Sequence, residues 1–380
     1  MKISYIVLKG MPLGGGIEKY TEELGSRLVR KGHAITVYVM RHYGAVDGLY
    51  RGMHIKTIPT IKSKGLEKMT ASLFATMVQS FRNDAEIVHY HAFGPAMFSF
   101  IPRIRGKKVV VQGHGLEWKR SRWGAFGQKV LRMTEVPSVK FPHVLSVVSR
   151  VQKKYLQDTY GCDSVYIPTG VNAPKREQAD LIKQYGLRGN DYLFFAARLV
   201  REKGAHYLID AYQRLKTDLK LVIAGDTPYE EEYKALLHRL AADNKNIIFT
   251  GFVTGKLLQE LFSNCYLFVL PSEIEGLPTA LLEAMSYGDC CLVSDIPENI
   301  EALDGFGYTF RNGNVADLAE KLRELLRDQE KVRSLKKQAE DHVLRNYSWD
   351  SIADAFERLY VRLLATRQTT PTAGGLHERY

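Results

Sequence analysis

Two glutamates, Glu275 and Glu283, stand with seven residues between them in the run Pro271-Ser272-Glu273-Ile274-Glu275-Gly276-Leu277-Pro278-Thr279-Ala280-Leu281-Leu282-Glu283-Ala284-Met285. The run follows a short apolar segment and opens a helical pattern. Glu275 therefore falls in a loop and Glu283 about one turn into a helix. Amides near residues 276–279 are the unsatisfied donors of a helix N-terminus and suit a phosphate. A loop carboxylate accepts from sugar hydroxyls, and one on the helix accepts from ribose hydroxyls. Each such charge-assisted bond is worth roughly 1.5–3 kcal/mol. Arg198 and Lys203 lie in a loop after an earlier strand, and His114 lies between Gly113 and Gly115 after another. Alone, the two cations read as ordinary loop residues and the histidine as a packed one. Beside the glutamate pair they become candidates for an anionic, polar ligand.

Other chemistries are excluded by their missing parts. Gly14-Gly15-Gly16 follows the first strand, but Lys19 stands where a dinucleotide loop wants its third glycine. Arg41-His42 follows the second strand where an acid is expected, which leaves NADP as a distant alternative. The segment Gly251-Phe252-Val253-Thr254-Gly255-Lys256 is one residue short of a phosphate-binding P-loop and continues with Leu257. There is no H-E-x-x-H, no G-x-S-x-G and no Asp-x-Asp, so no metal is expected. Cys162, Cys265, Cys290 and Cys291 include no C-x-x-C pair, and the adjacent two read as core filler.

The elements that position these residues alternate. Strands are expected at 3–8, 35–40, 87–91, 109–113 and 144–149, with a helix over 17–30. The pattern restarts with strands at 192–197, 219–224, 247–250, 266–270 and 290–294. Helices over 256–263, 279–286, 318–326 and 347–364 accompany them. Such alternation predicts parallel sheets covered by helices, here two α/β halves in tandem. Residues 1–172 form the first domain and 173–346 the second. Residues 347–364 form a final helix and 365–380 a tail rich in Thr, Pro and Gly. The polar stretch 172–191 is the linker. Tandem halves of this kind hold a ligand at the carboxyl ends of their strands, in the crevice between them.

The 380 residues are 45% hydrophobic and 25% charged, the balance of a globular protein. No apolar run reaches the roughly 18 residues of a membrane span, and the N-terminus lacks the features of a secretion signal, so the expected compartment is the cytoplasm. The net charge of +11 is uneven. Residues 1–170 carry 26 Lys and Arg against 11 Asp and Glu, and the remainder 27 against 31. The basic half favours an anionic partner. Nucleic acid is not expected, because no binding motif accompanies the charge. In residues 118–135, Trp123, Phe126, Val130 and Met133 recur at helical spacing among Lys119, Arg120, Arg122, Lys129 and Arg132. This reads either as a core helix with a solvated face or as a basic amphipathic helix on the inner membrane surface. The stripe Leu66, Met69, Leu73, Phe74, Met77, Phe81 reads as core, as do His89 and His91. Ser149 reads as a helix cap.

Taken together these segments resemble the retaining glycosyltransferases of family 4, of GT-B fold, over nearly the whole chain. The Glu275/Glu283 pair matches the family's Glu-x7-Glu signature, and residues 198–204 match its R-x4-K stretch. The glycine loop before Glu18 matches its first loop, and Thr250-Gly251-Phe252-Val253 the segment whose backbone reads the base. Ile167-Pro168-Thr169-Gly170-Val171-Asn172 matches its hinge, and Tyr347-Ser348-Trp349-Asp350 the start of its final helix. Thr169, Asn172 and Thr227 depart from the usual residues. The resemblance implies two Rossmann-like domains facing across an interdomain cleft. Arg198 and Lys203 would bind the donor diphosphate, Glu275 the sugar and Glu283 the ribose, with His114 near the reacting centre. Gly15 and Gly16 would approach phosphate or acceptor. Phe252, Val253, Gly276, Leu277, Pro278 and Thr279 would complete the donor site. The implied reaction is metal-independent transfer from a nucleotide-sugar, a UDP-sugar foremost, to a lipid-linked or polysaccharide acceptor with retention. Residues 113–124 are similar to polysaccharide-assembly members, including bacterial rhamnosyltransferases. A nucleotide-sugar 2-epimerase of the same fold and a non-catalytic sugar-nucleotide-binding protein remain alternatives.

Overall fold

The computed structural model describes residues 1–11, 15–61, 66–81, 84–119, 124–227, 230–242 and 244–366. Gly14, Arg120, Arg122, Trp123 and the tail 367–380 lie outside the described residues.

The first sheet holds eight strands: β1 (Lys2–Leu8), β2 (Ala34–Met40), β3 (Gly48–Tyr50), β4 (Met53–Ile58), β5 (Ile87–His91), β6 (Lys108–Gly113), β7 (Val144–Val147) and β8 (Val165–Tyr166). Their order is β3-β4-β2-β1-β5-β6-β7-β8. β1 pairs in parallel with β2 and β5, while β3 and β4 form an antiparallel hairpin. The second sheet holds β9 (Tyr192–Ala196), β10 (Lys220–Ala224), β11 (Ile247–Gly251), β12 (Leu267–Leu270), β13 (Cys291–Ser294) and β14 (Tyr308–Phe310) in the order β11-β10-β9-β12-β13-β14. Every pairing in it is parallel. β5 and β12, central strands of the two sheets, are buried at every residue, as expected where helices cover both faces.

By contacts the chain divides into two compact units. One comprises Met1–Val111, Pro137–Leu145 and Ala353–Tyr380; the other comprises Gln112–Val136 and Ser146–Ile352. The loop bearing His114 thus belongs to the second unit. In that unit Val171 bridges Ser348, and its amide donates to the Tyr347 carbonyl at 2.7 Å. In the first unit, Lys31 bonds Asp354 at 2.7 Å and Glu357 at 2.8 Å, and His89 Nδ1 meets the Tyr360 hydroxyl at 2.7 Å.

Several expectations are corrected. The stripe on the helix Leu66–Phe81 is not core: Phe74, Met77 and Phe81 are exposed. The buried face is instead the small and polar one, Ala71, Ser72, Ala75, Thr76, Gln79 and Ser80. Ser72 donates to the Pro95 carbonyl at 2.5 Å and Thr76 pairs with the Tyr90 hydroxyl at 2.8 Å, so these hydroxyls are buried with partners. The stretch 172–191 is not a free polar linker. Ile182 and Leu187 are fully buried, and the Glu260 carboxylate accepts from the amides of Asp180 and Ile182. His89 and His91 are buried as expected, stacked with ring centroids 4.4 Å apart. Ser149 Oγ caps its helix by accepting from the Gln152 amide at 3.2 Å. Cys290 and Cys291 are buried free thiols. Among the described residues no helix is long and apolar enough to cross a membrane.

Candidate active site

A parallel sheet offers a ligand site where strand order reverses, outside the carboxyl ends of the two strands that flank the reversal. In the second sheet that point lies between β9 and β12. The loop after β9 carries Arg198 and Lys203, and the loop after β12 carries Glu275. Topology therefore brings together residues 72 positions apart.

Local packing then fixes the two loops against each other. Lys203 closes a short 3-10 turn, Arg201–Lys203, and Gly204 ends it with φ 70°. A Cβ on Gly204 would stand 2.0 Å from the Pro271 carbonyl oxygen, so only glycine permits this approach. The Glu273 amide donates to the Glu202 carbonyl at 2.9 Å, and the Tyr207 hydroxyl donates to Glu273 Oε1 at 2.5 Å. That bond, with burial, pushes the Tyr207 phenol up to about 12. Underneath, Ser294 donates to the Ser272 carbonyl, and Asn299 donates to the Ser294 carbonyl at 3.1 Å. All three side chains are buried.

On this platform Lys203 Nζ lies 2.5 Å from Glu275 Oε1, with side-chain exposures of only 16% and 7%. His114, Arg198 and Gly276 line the same pocket, whose volume is about 30 Å³. Gly115, at φ 119°, faces Gly276 backbone to backbone: a Cβ on Gly276 would stand 2.2 Å from the His114 carbonyl oxygen. Burial pulls the His114 imidazole down to about 3, so it is neutral at ordinary pH. It can therefore donate through one nitrogen and accept through the other, without adding a charge beside Arg198 and Lys203.

The remaining predicted residues are placed as follows. Leu277 and Pro278 are buried beneath the loop, and Thr279 opens the helix Thr279–Ser286. Its first intrahelical bond runs from the Leu282 amide to the Pro278 carbonyl, which leaves the first-turn amides for other partners. Glu283 is half-buried one turn along. Phe252, 63% exposed, and Val253 follow edge strand β11, separated from β12 by β10 and β9. Gly15 and Gly16 belong to the first unit, at the N-terminus of the helix Gly16–Arg30. There Glu18 folds back so that its Oε1 accepts from the Lys9 amide at 3.3 Å.

Two contributors were missed. The Tyr207–Glu273 tie spans 66 residues, and no spacing rule encodes it. Glu298, at the start of the helix Pro297–Leu303 beyond β13, has its carboxyl pushed up by burial and, secondarily, by the negative charge of Glu275. Lys119 opposes that rise. A carboxylate near Glu275 is thus supplied by the strand next to β12, in a segment the sequence reading left without a role.

Comparison with known proteins agrees with this architecture. The family described as Glycosyl transferases group 1 matches residues 177–342, and Glycosyltransferase Family 4 matches residues 14–174. An uncharacterized glycosyltransferase of Methanocaldococcus jannaschii is 28% identical over 195 residues, half of either chain. A GDP-mannose-dependent alpha-(1-6)-phosphatidylinositol monomannoside mannosyltransferase of Mycobacterium tuberculosis is 25% identical over 369 residues, covering 90% of this chain and 93% of its own. Among solved structures, Anabaena Alr3699/HepE in complex with UDP and glucose superposes with a TM-score of 0.79 at 18% identity, covering 95% of this chain and all of that one. At that identity the likeness is one of fold.

Proposed function

Since the chain belongs to the group 1 and family 4 glycosyltransferases and has the GT-B fold, we propose that it moves a sugar from a nucleotide-diphosphate donor to an acceptor hydroxyl with retention of anomeric configuration. A UDP-sugar is the first donor to test, and a lipid-linked or polysaccharide acceptor in cell-surface glycan synthesis the first acceptor. The observation that carries this reading is the convergence of Arg198, Lys203 and Glu275 on one pocket at the β9/β12 reversal. HepE is also known in complex with UDP-glucose, and the mycobacterial relative is named for GDP-mannose and a phosphatidylinositol monomannoside acceptor. Both donors share a sugar diphosphate, which is the part these three side chains suit.

In this reading the bond between the anomeric carbon and the diphosphate oxygen breaks, and its electron pair stays on the phosphate. The acceptor oxygen bonds to the same face of the carbon, and its proton passes to the departing phosphate oxygen. Arg198, Lys203 and the first-turn amides of the helix Thr279–Ser286 stabilise the charge that develops there. Glu275 accepts from sugar hydroxyls and Glu283 from the ribose. Neutral His114 donates to the sugar beside the reacting carbon. No protein nucleophile and no metal are required. The pocket of about 30 Å³ has room for little more than a water. Donor entry therefore parts the Lys203–Glu275 pair, giving the ammonium to phosphate and the carboxylate to sugar.

Peripheral membrane contact fits the exposed side of the helix Ala125–Lys140. Phe126 and Met133 are 82% and 66% exposed there, beside exposed Lys129 and Arg132. The deciding experiment for function is an NMR screen of UDP-, GDP-, dTDP- and ADP-sugars, with and without EDTA and saccharide acceptors. Transfer predicts release of one nucleoside diphosphate, a retained anomeric coupling and no effect of EDTA. Acceptor-free conversion of the donor sugar at C2 would instead indicate an epimerase. Binding without turnover would indicate a sensor.

A further inference from the structure

A second cavity lies at the opposite end of the second sheet. It has a volume of about 480 Å³, within the range of small-molecule sites. Leu219 and Tyr266, which line it, immediately precede β10 and β12. It therefore opens at the amino end of the sheet whose carboxyl end carries the candidate active site. Four or five residues of strand separate the two, about 15 Å.

Its lining is strongly one-sided in charge. Arg214, Lys216, Arg323 and Arg327 face it, and no carboxylate does. That is unexpected in a half of the chain where acids outnumber bases, 31 to 27. Arg214 is held by Asp210 on its own helix, at 3.2 Å from Nε to Oδ1. Lys216, Arg323 and Arg327 make no ion pair among the described residues. Arg214 and Arg327 stand at the C-terminal ends of their helices, where a cation also offsets the negative end of the helix. That accounts for neither Lys216 nor Arg323. Like charges gathered on one hollow repel one another unless an anion joins them. The apolar wall of Leu219, Leu326 and the buried Tyr266 ring suits the organic part of such a ligand.

We propose that this hollow is a second ligand site, one that takes a small phosphate-bearing molecule through Lys216, Arg323 and Arg327. The site is independent of the donor pocket and of the glycosyltransferase reading. Guanidinium groups make bidentate, charge-assisted bonds to phosphate oxygens, so losing two of them should weaken binding at least about tenfold.

The test is calorimetric titration of the full chain with glucose 6-phosphate and with inorganic phosphate. Wild type, Lys203→Ala and the double variant Arg323→Gln/Arg327→Gln are compared, each checked by its thermal melt. Lys216→Ala replaces the double variant if the latter does not fold. The proposal expects one molecule bound per chain in wild type and in Lys203→Ala. It expects affinity to fall at least about tenfold in the pocket variant and with rising salt. No heat from either probe at about 10 mM, or binding lost in Lys203→Ala and kept in the pocket variant, would overturn it. So would flotation on phosphatidylglycerol vesicles that depends on Arg323 and Arg327 while glucose 6-phosphate gives no heat, since the phosphate would then be a lipid headgroup.

Discussion

Gly276→Ala should slow turnover sharply while leaving the protein folded. A Cβ at this position would stand 2.2 Å from the His114 carbonyl oxygen and 2.9 Å from its carbonyl carbon, where ordinary contacts begin at 3.4 Å. Both neighbours are backbone, so relief requires the loops bearing His114 and Glu275 to separate by about 1.2 Å. A misplacement of about 1 Å in a catalytic constellation costs on the order of a hundredfold in rate, or about 2.7 kcal/mol of barrier. Stability should change far less. Overpacking costs about 1–3 kcal/mol, and the stiffer unfolded chain returns about 0.4–1 kcal/mol of it. The assay is steady-state kcat and KM with the donor found in the NMR screen, beside a thermal melt and nucleotide calorimetry. The expected result is kcat down about a hundredfold, with nucleotide affinity within about threefold of wild type, because Arg198 and Glu283 are untouched. A variant with wild-type kcat and an unchanged melt would refute the idea that these two loops must sit in contact for chemistry.

Other outcomes follow from the same geometry. Glu283→Ala should weaken UDP or GDP binding by roughly 1.5–3 kcal/mol, ten- to a hundredfold by calorimetry, if it holds the ribose. Tyr207→Phe removes the bond to Glu273 and should lower kcat about five- to tenfold with little change in KM, whereas a purely structural tyrosine would move only the melting temperature. Burial, aided by the Arg103 and Lys108 cations, pulls His143 down to about 4, and its Nδ1 accepts from the Val109 amide at 3.0 Å. The unfolded chain takes up that proton near pH 6.5 and the folded protein only near 4. The His143 contribution is thus complete above pH 6.5 and is lost as pH falls through that window. His143→Gln should flatten the acid slope of stability between pH 6.5 and 4, measured by urea melts. Charge reversal at Lys129 and Arg132 should reduce flotation on anionic vesicles, and unchanged flotation would remove that helix as a membrane contact.

Much of the scaffold was legible because apolar β-branched and aromatic runs mark buried parallel strands. Leu267-Phe268-Val269-Leu270 is such a run, and the structure makes it the centre of the second sheet. The hairpin β3–β4 was not, because its turn uses Arg51 at φ 48° before Gly52, a conformation that side chains other than Gly, Asn and Asp seldom adopt. The helix Leu66–Phe81 misled for a related reason. Large apolar residues usually mark the inner face, but here hydroxyls bonded to Pro95 and Tyr90 lie inside and Phe81 lies out. Arg198, Lys203 and Glu275 could be singled out because each follows a strand in a distinctive local run. That they share one pocket depends on strand order, which a linear reading does not contain. Glu273, Tyr207 and Glu298 carry no local signal, since their significance is the partner each meets far along the chain.

The decisive claim is that Lys203, released from Glu275, grips the second phosphate of the donor. Calorimetry of UDP against UMP, and of GDP against GMP, on wild type and Lys203→Ala addresses it directly. The account predicts that wild type binds one diphosphate at least about tenfold tighter than its monophosphate, and that Lys203→Ala abolishes this preference. Equal affinity for both forms in wild type, or a preference that survives in Lys203→Ala, would contradict it.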